Sequence, residues 1–524
     1  MNSDAVGTST VNPYLVSFIV SMATFMEVLD TTIANVALSH IAGSLGATSE
    51  ESTWVLTSYL VSNGIVLPLS GWLAGVMGRK NFFMVCILCF TISSLLCGLS
   101  NSLGMLIFFR LLQGIAGGGL QPMQQAIIKD SFPIHKLGTA FAITGITVVL
   151  APIIGPMLGG YITDNYSWRW IFFINIPVGL LALYLVNLFV EDTPESSKKK
   201  VGTIDYIGLS LIALGLGALQ IFLDKGQQED WFDSYFIIFF AILAVIGLVG
   251  AVFWLLRQKK PVVKLSLFTL PSFSMPSIML FFVGFALYSS STLLPMMVQS
   301  NFGYDAMLAG MVLSPSGVIV ICIMPIIGRL VNRVQAKYLI ATGMFLMAFG
   351  MWATAQITPQ TDYLTLVEVR ILQVIGLPFL FVPSSTLAFS KIKPADSSNA
   401  SAIVALMRNL GGSIGIAIVT NKLIQSQQVE QNNLVQHLTN FDFGYSAAVT
   451  KMTTVIKGLG ISENQAPMMA MGKIYRELVH QASILAYRDA YEFVAMIMIA
   501  LGVVALFMPK NELHGKKKTI PVSE

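Results

Sequence analysis

Two carboxylates, Glu27 and Asp30, stand three positions apart in an apolar run that begins near Tyr14. In a helix that spacing puts both acids on one face, about a turn apart. The run is long enough to cross a hydrocarbon core of ~30 Å, where an ionised acid costs about 2.5–3.5 kcal/mol on insertion scales. An acid is kept at such depth when it pairs with a base, titrates or lines a wet cavity. At about 1.5 Å per residue, Asp30, 8 residues from the outer end of its run, and Arg110, 7 from the outer end of another, reach similar depth. Glu27 is near mid-bilayer, and Arg408, 11 residues into a later run from the inner side, comes to a similar level. Burial favours a protonated carboxyl and a nearby guanidinium favours an ionised one. A conformational change that separates acid from base therefore loads or releases a proton. The static alternative is a set of ion pairs that fixes helix register.

Other chemistries find less support. No GxxxxGK[ST] loop is present to cradle ATP phosphates, and HExxH is absent. Gly411-Gly412-Ser413-Ile414-Gly415 spells GxSxG, but a nucleophile elbow needs a strand-to-helix turn, and Ser413 lies in an apolar run. The five histidines, His40, His135, His437, His480 and His514, fall in loops, at run ends or in a tail. Cys86-x-x-Cys89 has no second ligand pair, and all four cysteines lie in apolar runs, so neither a metal site nor a disulfide framework is expected. Basic residues are scattered over short loops rather than gathered on one face, which excludes a nucleic-acid partner.

The elements that must position these charges are membrane helices. Hydrophobic residues make up 55% of the 524 positions and charged residues 11%, far below the ~25% of soluble domains. About fourteen spans are read: 14–38, 54–77, 82–100, 103–125, 138–163, 170–190, 204–223, 235–256, 274–298, 306–328, 338–357, 363–388, 397–421 and 490–508. An even number puts both termini on one side. The short loops on that side carry nearly all the Lys and Arg, among them Arg79, Lys80, Lys198, Lys199, Lys200, Lys259, Lys260, Arg329, Lys337 and Lys510. The opposite short loops offer Arg169 and Lys225, so both termini are expected in the cytoplasm. Residues 1–13 lack the basic flank of a signal peptide, and the first span is expected to be retained. The loop 422–489 reads as short helices with Gln- and Asn-rich turns. It suits a partner-docking surface, a cap over the outer mouth, or a variable insertion.

An internal repeat organises the spans. Arg110-Leu-Leu-Gln-Gly-Ile-Ala in span 4 returns as Arg370-Ile-Leu-Gln-Val-Ile-Gly in span 12, 260 residues later. Gly71-Trp-Leu…Lys80 matches Gly328-Arg-Leu…Lys337, and Gly155 falls opposite Gly415. The expected organisation is a cytoplasmic tail 1–13, a six-helix half 14–190, linkers and two inserted helices 191–273, a second half 274–508 and a cytoplasmic tail 509–524. Parallel halves place a transport site between them at mid-bilayer. The position aligned with Asp30, near Ser290, carries no acid, so only the first half holds the titratable pair.

Several stretches together resemble the fourteen-helix drug:proton antiporter branch of the major facilitator superfamily, of the EmrB type. Leu29-Asp30-Thr31-Thr32-Ile33-Ala34-Asn35-Val36-Ala37-Leu38 is similar to its first-helix signature. Gly71-Trp-Leu-Ala-Gly-Val-Met-Gly78-Arg79-Lys80 resembles the loop motif between helices 2 and 3. Arg110-Leu-Leu-Gln113-Gly114 resembles the fourth-helix motif, and Ala151-Pro152-Ile-Ile-Gly155-Pro156-Met-Leu-Gly159-Gly160 the antiporter motif of helix 5. Asn175-Ile-Pro177-Val-Gly179 and Arg408-Asn-Leu-Gly411 also fit. The resemblance implies an all-α integral membrane protein with the major facilitator fold, two pseudo-symmetric six-helix bundles plus two inserted helices. It implies a proton-coupled multidrug exporter in a bacterial inner membrane, with no cofactor beyond the proton gradient. Hydrophobic or cationic drugs are the implied cargo, with a periplasmic adaptor of the EmrA type and an outer-membrane channel of the TolC type as partners. A native metabolite, lipid or siderophore is the alternative cargo; a receptor or intramembrane enzyme is a remote one.

Under that reading Asp30, Glu27, Arg110 and Arg408 couple protons. Gly71, Gly78, Arg79, Lys80, Gly155, Pro156, Gly159 and Gly160 gate or pack. Asn35, Gln113, Phe285, Tyr288 and Met296 are the substrate candidates, the last three from the Met- and aromatic-rich span 9, which also needs a lipid face. One departure stands out: the loop motif usually holds an acid where Gly75 stands, and Asn332 occupies the matching place in the second half. The cytoplasmic latch that acid makes must be weaker here or made by other residues.

Overall fold

The computed structural model describes residues 12–191, 205–258, 261–439 and 442–508. The tail positions before Asn12 and after Met508, most of the linker 191–203 and the basic residues Lys198, Lys199, Lys200, Lys259, Lys260 and Lys510 lie outside the described residues. Fourteen described helices are long and apolar enough to cross a membrane. Spans 1–6 are Pro13–Val36, Trp54–Met77, Arg79–Gly98, Leu103–Ser131, Leu137–Asn165 and Trp170–Phe189. Spans 7 and 8 are Tyr206–Lys225 and Tyr235–Arg257. Spans 9–14 are Pro271–Phe302, Met307–Leu330, Ala336–Ala355, Tyr363–Ser390, Pro394–Val435 and Ala466–Leu506.

Local chemistry sets where the spans start and bend. Asn12 caps span 1, accepting the Tyr14 amide ahead of Pro13 at the first turn. Ser102 and Asp305 cap the helices that follow them in the same way. Gly78 turns the chain between spans 2 and 3 with φ 85°, a value glycine reaches without steric penalty. Spans 4 and 12 break at matching places, around Gly118–Gly119 and at Gly376. Both breaks are sites of close approach: a methyl on Gly119 would lie 2.5 Å from Cys86 Sγ, and one on Gly376 2.3 Å from the Gly343 carbonyl.

In the first bundle, span 1 packs on spans 4, 5 and 6, span 2 on span 4, and span 3 on spans 4 and 6. In the second, span 9 packs on spans 12 and 13, and span 11 on spans 12 and 14. The bundles meet where span 5 lies against spans 10 and 12, and where spans 2 and 4 lie against span 13. Spans 7 and 8 cross at Gly215 and Gly247, and span 7 docks on span 2 and also touches span 13. Span 8 is the most lipid-like surface, with Phe239, Ile242, Val245, Ile246, Val249 and Phe253 exposed.

The long loop departs from its expected form. Spans 13 and 14 continue through most of it as helices of 39 and 41 residues, and a separate helix, Phe443–Gly458, lies between them. The Gln-rich stretch expected to turn from residue 425 onward is helical as far as Val435. Polar residues there mark helix outside the hydrocarbon, not chain reversal. Ile456, Ala466 and Ala470 make a small core of their own, and His480 and Ser483 tie the extension to Asn301 of span 9. The end of the molecule where span 1 begins and span 14 stops is called basal below, and the end bearing the extension distal.

Candidate functional site

Asp30 is enclosed within the first bundle. Its Oδ2 accepts from Arg110 Nη1 at 2.5 Å, and its Oδ1 from Gln113 Nε2 at 3.1 Å and Asn175 Nδ2 at 2.7 Å. Arg110, fully buried, also donates through Nε to the Val55 carbonyl at 3.1 Å and lies 4.3 Å from the Tyr59 ring centroid. Asn175, one turn into span 6, also donates through Nδ2 to Ser94 Oγ at 3.0 Å, which ties span 3 to the same cluster. Span 5 presses on the same neighbourhood: a methyl on Gly155 would lie 2.1 Å from Thr32 Oγ1, and one on Gly159 3.2 Å from the Ile33 side chain. Gly160 is buried beside them, and Pro156 sits inside the span 5 helix. These glycines pack span 5 on span 1, inside one bundle and within a turn of Asp30.

Glu27, a turn from Asp30 on the same face of span 1, reaches towards the interface between bundles. Its Oε1 accepts from the Tyr59 hydroxyl and Asn63 Nδ2, both at 3.2 Å, and its Oε2 from Gln121 Nε2 at 2.7 Å. The Oε1 of Gln121 in turn accepts from Arg408 Nη2. Glu27 and Arg408 are therefore joined through one amide rather than directly, across the boundary between spans 4 and 13. Arg408 is fully buried, its guanidinium lies 5.8 Å from the Phe381 ring centroid, and its Nε and Nη1 have no hydrogen-bond partner. Tyr288 of span 9 stands beside Arg408 and Glu27.

The five substrate candidates are not gathered at one place. Gln113 belongs to the Asp30 cluster, and Phe285 is buried where span 9 meets Gly415. Asn35 and Met296 are exposed, which leaves Tyr288 at the central site. Residue type alone could not separate faces of span 9 that lie one position apart.

At the basal end the two bundles are latched. Arg79 forms an ion pair with Asp130 of span 4, donates through Nε to Ser398 Oγ at 2.8 Å, and through Nη2 to the Pro394 carbonyl at 2.7 Å. Asp130 also accepts from the Ser397 hydroxyl at 3.2 Å, and Lys129 Nζ donates to the Ile392 carbonyl at 3.1 Å. Gly71 brings span 2 against span 13, since a methyl there would lie 2.9 Å from Asn399 Cα. Gly75 faces open space, so the acid missing from the loop motif is supplied by Asp130. Asn332 in the second bundle makes the corresponding reach, donating to the His135 carbonyl at 3.0 Å. Lys80 donates to the Asn187 carbonyl at 2.8 Å within its own bundle, so that contact adds nothing across the interface.

Gln121, Asn63, Tyr59 and Asp130 were not singled out from sequence, and Asn175 was named only as part of a motif, without a role. Gln121, Gln124 and Gln125 gather in one half of a membrane span, a polar concentration that is a detectable signal. Ser413, within its helix, donates to Gln220 of span 7 at 3.1 Å, a packing contact rather than a nucleophile's.

A helical membrane protein with duplicated bundles, buried charges at their interface and a latch at one end belongs to the class of secondary transporters. The chain belongs to the Major Facilitator Superfamily, whose sequence model matches residues 20–416. It is 34% identical over 497 residues to the multidrug export protein EmrB of Escherichia coli K12, covering 94% of this chain and 95% of that one. It is equally 34% identical over 500 residues to the fatty acid resistance protein FarB of Neisseria gonorrhoeae, covering 95% and 96%. Among solved structures, a double-tryptophan mutant of XylE superposes with a TM-score of 0.61 at 13% identity, covering 96% of this chain and 97% of that one. That likeness speaks for the fold.

Proposed function

We propose that this chain exports hydrophobic or cationic compounds across a bacterial cytoplasmic membrane in exchange for protons. The basal end faces the cytoplasm with both termini, and the two six-helix bundles, 14–190 and 274–508, alternate access around the central site. The observation that carries the reading is the Glu27–Gln121–Arg408 bridge, which ties a buried carboxylate to the contact between bundles. Ionised Glu27 attracts Arg408 across the interface and favours the arrangement with the basal latch closed. Protonation removes that attraction and favours separation of the latch. A cationic compound entering from the cytoplasm then displaces the proton, and the ionised carboxylate, shared between the compound and Arg408, draws the latch closed again. Asp30, with every carboxylate contact made inside one bundle, holds Arg110 and span 6 in place and joins the relay through Arg110, which lies against the ring of Tyr59, whose hydroxyl donates to Glu27. No cofactor takes part; the gradient supplies the energy.

EmrB is named for multidrug export, and its similarity along nearly the whole chain supports the cargo class. FarB, named for fatty acid resistance at the same identity, favours an amphiphilic acid as the second reading. The helical extension, with Val455, Leu459, Met468, Met469 and Met471 exposed, is the surface offered to an EmrA-type adaptor leading to a TolC-type channel. Everted vesicles with an imposed or collapsed pH gradient test the coupling. Accumulation of a lipophilic cation is expected only while the lumen is acidic, and export that ignores the gradient refutes the proposal.

A further inference from the structure

The second bundle holds a copy of the Asp30 cluster with the acid removed. Arg370, Ser290, Gln373 and Thr354 lie 260 positions after Arg110, Asp30, Gln113 and Ser94. Arg370 Nη1 donates to Ser290 Oγ at 3.2 Å and to Gln373 Oε1 at 3.0 Å, and Nη2 donates to Ser291 Oγ at 3.1 Å. Gln373 Nε2 donates onward to Thr354 Oγ1 at 2.7 Å. The arrangement repeats that of Arg110 with Gln113, but every acceptor is neutral. Arg370 is fully buried, and among the described residues no carboxylate pairs with it. A guanidinium stays charged in a protein, and an uncompensated charge at this depth is strongly unfavourable.

Two donors at the same place are unused. Arg370 Nε has no hydrogen-bond partner; the hydroxyl of Tyr491, a fully buried span 14 residue beside Arg370, meets the Gln373 amide, and its own proton has no acceptor. Both groups are fully enclosed, which excludes an organic carboxylate and leaves a monoatomic ion as the counter-charge.

We propose that the second bundle carries a halide site, in which a chloride held by Arg370 Nε–H and the Tyr491 hydroxyl supplies the charge that Asp30 supplies in the first. The bound anion fixes spans 9, 12 and 14 relative to one another, as the Asp30–Arg110 pair fixes spans 1, 4 and 6. This assignment does not depend on the cargo or on proton coupling. The test is thermal unfolding of the purified full-length protein in sodium chloride, bromide or gluconate at equal ionic strength. The expected result is a saturable upward shift of the unfolding midpoint in chloride and bromide but not in gluconate. Tyr491→Phe is expected to raise the half-saturating chloride concentration by about tenfold. Ser290→Asp, which installs the carboxylate of the first bundle, is expected to abolish the halide response while keeping the midpoint high in gluconate. A wild-type midpoint indifferent to halide means that water alone fills the site and overturns the proposal. A Ser290→Asp or Tyr491→Phe protein with an undiminished halide response overturns it equally.

Discussion

Replacing Glu27 by Gln separates the charge of this residue from its shape. The side chain keeps its length and can still accept from Tyr59 and Asn63, but its amide nitrogen would then confront the Gln121 nitrogen that now donates at 2.7 Å. If Gln121 turns over to accommodate it, a donor is brought against Arg408 instead. Either way one buried hydrogen bond is lost, which costs about 1–3 kcal/mol. The Coulombic part is similar in size. Carboxylate and guanidinium are separated by one amide, roughly 7 Å, so their attraction is about 2 kcal/mol at an effective dielectric constant of ~20. Two kcal/mol changes an equilibrium by roughly 30-fold. The variant is therefore expected to shift the molecule towards an unlatched basal end by about that factor. Spin labels on Asn81 and Lys391, exposed residues on opposite sides of the latch, report the separation by pulsed dipolar spectroscopy. Wild type should lengthen that distance as the pH falls, because protonation of Glu27 removes the attraction. Glu27→Gln should already show the long distance at neutral pH and respond little to acid. A variant with the wild-type pH response would refute the bridge as the link between protonation and opening.

Asp30→Asn leaves the Arg110 guanidinium buried without its carboxylate, at a cost of about 3–5 kcal/mol. It should lower the unfolding midpoint and abolish proton-driven export in vesicles, whereas a folded variant with full export would remove Asp30 from the coupling relay. Gly155→Leu forces atoms into the space where Thr32 Oγ1 already lies 2.1 Å from the position of a methyl. Drug export should be lost or uncoupled from the gradient, and unchanged transport would show that span 5 can move off span 1 freely. Asp130→Asn removes the counter-charge of Arg79 while leaving Ser398 and Pro394 as its acceptors. The label distance at Asn81 and Lys391 should then lengthen at neutral pH, and an unaltered distance would mean that the neutral contacts suffice to hold the latch.

Much of the molecule can be read along the chain because hydrocarbon imposes a local rule: a span must be about 20 apolar residues, whatever its neighbours. Hence the fourteen spans lie close to where composition puts them. Asp30 and Arg110 were matched by depth, and in the structure they meet at 2.5 Å, since a buried ion pair needs equal depth and few other bases were available. Depth carries no information about rotation. Neighbouring residues on a helix point about 100° apart, so which flank of span 9 or span 13 faces a partner depends on how the helices pack. Tyr288 reaches the central site while Met296 remains exposed.

Sequence alone thus determined the number of spans, their duplication and the one-sided placement of acids, all of them properties of local hydropathy and residue order. Tertiary structure decided the rest. It put Gln121 between Glu27 and Arg408, and made Asp130 the partner of Arg79 in place of an acid at Gly75. It also left Arg370 without a carboxylate beside a Tyr491 hydroxyl whose proton has no acceptor. Each of these is a meeting of residues from different helices, and the angle at which helices pack is set by the side chains of both at once.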